Sequence, residues 1–478
     1  MSEGWPAFFS DNRLQLARRL ALRREQTLWL CGGAIRDALL DRRPADLDLA
    51  ADGDAAALAQ DLAHELNGRY ILLDPDHQSC RVVADGQAID LTGLRAPTIE
   101  QDLVARDFTI NAMAAPLDAL LAGRPVLLDP TGGQADLRAG LLRPAGSGVL
   151  RADPLRVLRA GRLAAELGLS PAPGLPERLG RAASGLAQTP KERLAHEWLA
   201  MLEAADPNRG VNLLEQCGAL GLLLPALEAG RGLGQNPFHH LDVFDHNLAC
   251  LAAAQDIWRD PSPLFGAMAA ETADYLTPPR RRALLFCAAL LHDVGKSATR
   301  LETGPGWATF YRHDSVGAEL AHAACQRLGL AKADSRFVAR MTAMHMRPFH
   351  LLGAQNRGQL TARGARRLIQ AVGDDLPGLF ILAMADTVAG RGAQRPPDAE
   401  KRLTRLYGRV AHLRDSQLKA ALAAPPLLDG RQLMAALGVG PGPEVGRLLA
   451  LLREAQLDGA ITNPYEALNL ARRRMRRG

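Results

Sequence analysis

Cysteine is scarce in this chain and never paired: the six in 478 residues (Cys31, Cys80, Cys217, Cys250, Cys287 and Cys325) stand alone, with no Cys-x-x-Cys step. That usage speaks for a reduced, cytoplasmic setting and against a disulfide framework or a structural zinc site. Long apolar runs are lacking too, since none approaches the roughly 18 residues of a membrane helix. Near the start, Glu3, Asp11, Arg13 and a run of arginines leave no apolar core of signal-peptide length. No membrane partner is expected. Aromatic residues are few at 4%, yet apolar residues reach 47%, which is the level of a globular protein. Lysine is rarer still. Only Lys191, Lys296, Lys332, Lys401 and Lys419 occur, so almost all the positive charge behind the net +5 is arginine. That charge suits a nucleic-acid partner, but the placement of single arginines says more than the total.

What is present begins with Leu28-Trp29-Leu30-Cys31-Gly32-Gly33-Ala34-Ile35-Arg36-Asp37, followed nine residues later by Asp46-Leu47-Asp48. A short apolar strand runs into a Gly-Gly turn, a helix opens, and a second strand carries two carboxylates. Successive strand side chains alternate between faces, so Asp46 and Asp48 share one face and can hold a divalent metal. Gly32 and Gly33 let backbone amides approach a phosphate, where Arg36 adds charge. These are the parts of two-metal nucleotidyl transfer, with Mg²⁺ on Asp46 and Asp48.

At this spacing the chain resembles the class II tRNA nucleotidyltransferase and bacterial poly(A) polymerase family, whose members add nucleotides to RNA 3′ ends without a nucleic-acid template. Residues 26–145 read as mixed α/β. Strands are expected at Leu28–Cys31, Leu47–Ala50 and Arg69–Leu73, with a helix over Ala55–Leu66. Cys80–Ala84 and Gln87–Thr92 form a hairpin around Asp85-Gly86. Asp90 on its second arm resembles the family's third catalytic carboxylate. Arg106-Asp107-Phe108-Thr109-Ile110-Asn111 resembles the family's second motif, which implies that Arg106, Asp107 and Asn111 read ribose and phosphate. The family's usual arginine just before it is Ala105 here. Asp129-Pro130-Thr131-Gly132-Gly133 fits a structural turn.

Beyond about residue 150, Ala- and Leu-rich helical periods dominate, broken by proline pairs. Arg156, Arg159 and Arg162 recur every three residues after Asp153-Pro154, which places them on one helix face. The resemblance implies that Arg156 and Arg159 hold nucleotide phosphates. The family's Glu-Asp-x-x-Arg, which reads the incoming base, is matched to Glu177-Arg178-Leu179-Gly180-Arg181, giving Glu177 and Arg181 that role. Lys191-Glu192-Arg193-Leu194 with Glu197 resembles the next neck helix.

Eight of the twelve histidines fall between His239 and His350. His246, His292-Asp293, His313, His345 and Asp386 follow in an order similar to the HD phosphohydrolase superfamily, an all-helical metal-binding fold. The resemblance implies His246, His292, Asp293 and Asp386 as core ligands, with His313 and His345 serving a second metal. The donors suit Mn, Ni, Fe, Zn or Mg.

The expected fold class is therefore α+β: a head with a small mixed sheet at 1–145, a helical neck at 146–232, an HD domain at 233–395 and a helical tail region at 396–478. Its arginines, Arg472 to Arg474, Arg476 and Arg477, can meet RNA phosphates. The expected reaction joins CMP or AMP, from CTP or ATP, to a tRNA 3′ end. Between Asp90 and the second motif, only Ala96-Pro97-Thr98 stand where CCA-adding members carry a flexible loop. That points to CC addition, with a separate A-adding enzyme as partner. The alternatives are a poly(A) polymerase, or a metal-dependent phosphohydrolase whose head only binds RNA.

Overall fold

The computed structural model describes Trp5, Phe8 and residues 11–44, 46–75, 78–304, 307–418, 424–457 and 460–475, so Arg476 and Arg477 lie outside it. Two compact units are present, residues 1–225 with 327–330, and residues 226–326 with 331–478.

In the first unit, six strands form one sheet: β1 (Leu28–Cys31), β2 (Leu47–Ala51), β3 (Arg69–Asp74), β4 (Ser79–Ala84), β5 (Gln87–Gly93) and β6 (Ala114–Pro116). Their order is β3-β4-β5-β2-β1-β6. Only β2 and β5 run parallel; the other neighbours are antiparallel. The period of two divides the sheet cleanly. Leu28, Leu30, Leu47, Leu49, Cys80, Val82, Ile89 and Leu91 enter one core with the helices α1 (Asn12–Arg23) and α3 (Ala55–Glu65). α3 offers Ala55, Leu58, Ala59, Leu62 and Ala63 to it, an i, i+3, i+4, i+7, i+8 stripe, and Asp54 caps it by accepting the Ala57 amide at 2.9 Å. The opposite face therefore carries Cys31, Asp48, Asp90 and Arg81 in one cross-strand row, set by the registers Cys31↔Asp48, Asp48↔Asp90 and Arg81↔Asp90.

Between β1 and β2 lies α2 (Gly33–Leu39), and after β5 comes α4 (Ile99–Ala105). The rest of this unit is helical, including α5 (Arg156–Leu167), α6 (Leu175–Ala183) and α7 (Lys191–Glu203), apart from a two-residue ladder of Leu141–Leu142 with Ser170–Pro171.

The second unit packs α8 (Val243–Arg259) along α9 (Pro279–Leu291) and α12 (Leu376–Ala389), with α10 (His313–Arg327) and α11 (Lys332–Met344) around them. α9 is buried from Arg282 to Leu291 and α12 from Leu376 to Ala385, so neither has a wet face. The continuous helical stretch Arg363–Ala389 is long and apolar enough to cross a membrane by length and composition, a candidate the sequence reading did not raise; 72% of its apolar window is buried inside the unit, as in a core helix. This unit is also not wholly helical. A ribbon of β7 (Leu301–Gly304) and β8 (Trp307–Thr309) projects from it. All four β7 residues are exposed, so no alternation of apolar and polar residues announced the strand. Residues 424–475 form three helices around their own small core of Leu433, Val445, Leu448 and Ala467.

Leu30 is fully buried in the middle of the sheet. Leu30→Ala should lower unfolding free energy by about 2–5 kcal/mol, read by chemical denaturation of the first unit, because the cavity beneath β1 has no neighbour free to collapse into it.

Candidate functional site

A cavity of about 550 Å³ opens on the polar face of the sheet, lined by Gly32, Gly33, Arg36, Asp46, Asp48, Asp90, Arg106, Asp107, Asn111, Arg156 and Arg159 among others. Asp46 is exposed at the foot of β2 and Asp48 half-buried within it. Asp48 stands beside Asp90 across the parallel strand pair of the six-stranded sheet. Burial, with Asp90 and then Asp46 adding like charge, pushes the Asp48 carboxyl up to about 6 despite the opposing Arg106. A divalent cation would relieve that repulsion, so the donor set fits Mg²⁺ on Asp46 and Asp48. Asp90 is already engaged: Arg81, its cross-strand partner, donates Nε to Oδ1 at 2.7 Å and a terminal nitrogen to Oδ2 at 2.8 Å. Gly32 is obligatory for two reasons. Its φ is +72°, and a Cβ would stand 2.9 Å from Asp48 Oδ2.

The arginines are more committed than the sequence reading expected. Arg36 is buried and donates to Asp37 Oδ1 at 2.7 and 2.9 Å and to Asn111 Oδ1 at 2.8 Å. Asn111 in turn donates to Asp107 at 3.3 Å, and Arg159 donates to Asp107 Oδ2 at 3.1 Å and to Glu197 at 2.9 Å. Arg162 completes the chain by donating to Glu197 and Glu166, each at 2.7 Å. Burial alone would raise the Asp107 and Glu197 carboxyls, but the arginines beside them hold both below the usual range. Arg156 donates one nitrogen to the carbonyls of Val149, Ala105 and Arg106, so it staples α5 to the turn before the second motif.

Glu177 and Arg181 are not brought to this cavity; both are exposed on α6, and Arg178 donates to the Gly146 carbonyl at 2.7 Å. The acidic-x-x-Arg spacing is met instead by Asp153 and Arg156, with Ala152 in the glutamate place, and Arg156 does line the cavity. That signal was legible, but the Asp153-Pro154 helix start masked it. Arg95 was also missed. It is exposed and lines the cavity, and its guanidinium has no acidic partner among the described residues.

In the second unit the predicted metal residues converge. Asp293 sits between two histidine pairs: Oδ2 lies 3.3 Å from His292 Nε2 and 3.6 Å from His246 Nε2, while Oδ1 lies 3.4 Å from His313 Nε2 and 3.6 Å from His345 Nε2. Asp386 Oδ1 joins the first pair, 3.1 Å from His246 Nε2. The Nδ1 atoms of His292, His313 and His345 each meet a backbone carbonyl three residues back, at 2.9, 2.7 and 2.6 Å. With the proton fixed there, each Nε2 lone pair faces Asp293. His246 Nε2 and His292 Nε2 are buried without a hydrogen-bond partner, which is what a metal-ligating nitrogen looks like before its ion is added. Lys296 approaches Asp293 Oδ2 at 2.5 Å and donates to Gln235 at 2.6 Å. Burial would raise the Asp293 carboxyl, yet Lys296 and His292 hold it well below the ordinary value. A cavity of about 770 Å³ opens over Asp293, His313 and Asp386.

Three family models match the chain. The poly A polymerase head domain covers residues 28–98 and 95–143, the probable RNA- and SrmB-binding site of polymerase A covers 169–230, and the HD domain covers 243–390. The chain is 38% identical over 450 residues to the A-adding tRNA nucleotidyltransferase of Deinococcus radiodurans, spanning 92% of this chain and 93% of that one. To the CC-adding tRNA nucleotidyltransferase of Thermus thermophilus it is 35% identical over 446 residues, spanning 91% of each. A solved structure of the Thermotoga maritima CCA-adding enzyme complexed with tRNA has a TM-score of 0.62 at 18% identity, over 97% of this chain and 95% of that one. At that identity the likeness speaks for the fold.

Glu197 is the anion on which two arginines converge. Glu197→Ala should cost about 3–5 kcal/mol by chemical denaturation, since Arg159 and Arg162 would lose the buried anion they share and keep only Asp107 and Glu166. Restoring Arg162→Leu in the same chain should recover part of that loss.

Proposed function

Because the chain belongs to the class II tRNA nucleotidyltransferase and bacterial poly(A) polymerase family and carries an HD domain, we propose that it adds C residues to tRNA 3′ ends from CTP, with ATP the alternative donor. The observation carrying this reading is the row of carboxylates on one sheet face beside a glycine turn and arginines. Mg²⁺ on Asp46 and Asp48 would lower the pKa of the attacking 3′-hydroxyl and neutralise the triphosphate. Asp48 places that charge against the α-phosphate, Gly32 leaves room for it, and Asp90 is held in line by Arg81. Arg95 and Arg106 supply cationic contacts to the departing pyrophosphate, and Asp107 with Asn111 reads the ribose. Arg156, which lines the cavity, takes the base-reading place. The protein works in the cytoplasm, where its tRNA and nucleotides are.

CC addition is favoured by the connection between β5 and α4, which is only Leu94 to Thr98. The match to the family head also comes in two pieces that meet there. The 38% identity to an A-adding enzyme favours a second reading, addition of the terminal A to tRNA already ending in CC. Supplying tRNA that ends at the discriminator base, or in CC, with labelled CTP, ATP or both resolves the two at single-nucleotide resolution. Two C residues on the first substrate are expected, and a separate A-adding enzyme would finish the end. Efficient A addition would replace this reading by the second, and equal use of an unrelated RNA would replace it by polyadenylation. Asp46→Ala or Asp48→Ala should lower incorporation at least about a thousandfold with an unchanged melting temperature, as expected of a metal ligand.

The HD domain, in this proposal, removes 3′ phosphates or opens 2′,3′-cyclic phosphates at damaged RNA ends. His246, His292, Asp293 and Asp386 would hold one ion and Asp293, His313 and His345 a second, supplying an activated water. Asp293→Ala should abolish this hydrolysis and the bound metal found by elemental analysis, while nucleotide transfer persists.

A further inference from the structure

Aromatic residues are few in this chain, and their placement is uneven. Among the described residues four Phe, Tyr or Trp side chains are exposed, and three of them, Phe238, Trp307 and Tyr311, line the cavity over the HD cluster. Tyr311 is 76% exposed and Trp307 44%. Trp307 rises from the β7–β8 ribbon, and Tyr311 stands two residues before His313. Between them and the histidine lies Arg312 at φ +64°, a left-handed conformation that is costly for a side chain with a Cβ. That bend separates a ring facing outward from an imidazole facing Asp293. Arg312 is exposed, lines the same cavity and has no acidic partner among the described residues. Further in, Lys296 lies 5.5 Å over the Phe310 ring.

Exposed apolar rings carry a hydration cost that a chain this poor in them has no structural need to bear, because none of the three fills a core. Flat rings beside an unpaired guanidinium are what single-stranded nucleic acid binds: bases stack, and the guanidinium meets a phosphate. We propose that Trp307, Tyr311 and Phe238 form a base-stacking platform that presents the last nucleotides of a single-stranded RNA 3′ end to the HD cluster. Arg312 contacts the backbone phosphate, and Lys296 the terminal one. Three rings and an outward arginine exceed what a lone nucleotide covers, so the occupant is an RNA end. This deepens the hydrolase reading and rests on it for the terminal phosphate.

The test separates the two. A fluorescein-labelled seven-nucleotide RNA with a 3′-phosphate is titrated in EDTA, beside the same RNA whose last two nucleotides are abasic and beside a nucleoside 3′-monophosphate. The intact RNA should bind the full-length protein about tenfold more tightly than the abasic one, and Trp307→Ala with Tyr311→Ala should erase that difference. Trp307→Phe with Tyr311→Phe should restore it, which a folding defect would not allow. RNA contacts in the other unit do not involve Trp307 or Tyr311, so they enter the wild-type and double alanine titrations equally. With a divalent ion restored, the double alanine variant should raise KM for the 3′-phosphorylated RNA about tenfold and hold kcat. A preference that survives in the double alanine variant, or that wild type never shows, overturns the platform. So does a nucleoside monophosphate binding as well as the RNA. If the stacking difference appears but no phosphate is released under any metal, the platform stands and the hydrolase reading falls.

Discussion

Two carboxylates paired in register on adjacent strands repel each other, and the first unit is arranged around holding them there. Asp48 and Asp90 face the same side of the only parallel pair in the sheet. At roughly 5 Å and an effective dielectric of about 20, two such charges oppose each other by about 3 kcal/mol. The structure meets that cost from both flanks. Arg81 clamps Asp90 through two nitrogens, and Arg106 lies beside Asp48, itself held by Asp102 at 3.2 Å. What remains uncompensated is Asp48, whose carboxyl is pushed up to about 6 by burial and its acidic neighbours. A divalent ion would complete the balance, and the apolar core on the far face fixes the geometry in which it would do so.

The second unit solves the inverse problem. There a single buried carboxylate, Asp293, lies among four imidazoles and a lysine. Its two oxygens face different histidine pairs, so one side chain serves two ion positions. Three of the rings have their Nδ1 fixed on carbonyls of their own helix turns. Backbone geometry thus sets the tautomer before any ion arrives. His246 Nε2 and His292 Nε2 stay buried without a hydrogen-bond partner, a cost that a divalent ion at this cluster would remove.

Much of this was written in the residues. The strands around Asp48 and Asp90 follow period two, and Asp85-Gly86 makes the β4–β5 turn as a two-residue hairpin should. His246, His292, Asp293, His313, His345 and Asp386 meet as their order suggested, because buried helices such as α9 and α12 carry them at fixed heights. Roles within ion-pair networks were less legible. Periodicity put Arg156, Arg159 and Arg162 on one face, but nothing in the spacing said that Glu197, from α7, would draw two of them. Short strands with one buried residue between them, Ala308 on β8, leave no pattern to read. Likewise Ala152-Asp153-Pro154-Leu155-Arg156 meets the motif's spacing with alanine in its first place, so the complete Glu-x-x-x-Arg on α6, which does not line the cavity, drew the reading instead.

The shortened connection after β5 has a mechanical consequence that composition alone does not express. Asp102, on α4, accepts the Arg95 amide at 3.1 Å with one oxygen and the Arg106 Nε at 3.2 Å with the other. One buried carboxylate therefore fixes both ends of the cationic edge of the cavity, the strand exit at Arg95 and the second motif at Arg106. A longer, mobile insertion between residues 94 and 98 would sever that tie, freeing Arg95 to move with the loop. With the tie in place, the cations stand at set distances from Asp48, and Pro97 removes further freedom from the span. A pocket meant to accept C twice and then A needs a part that changes position between the two. A frame tied at both ends suits one kind of addition, which is what supports the proposed CC reading.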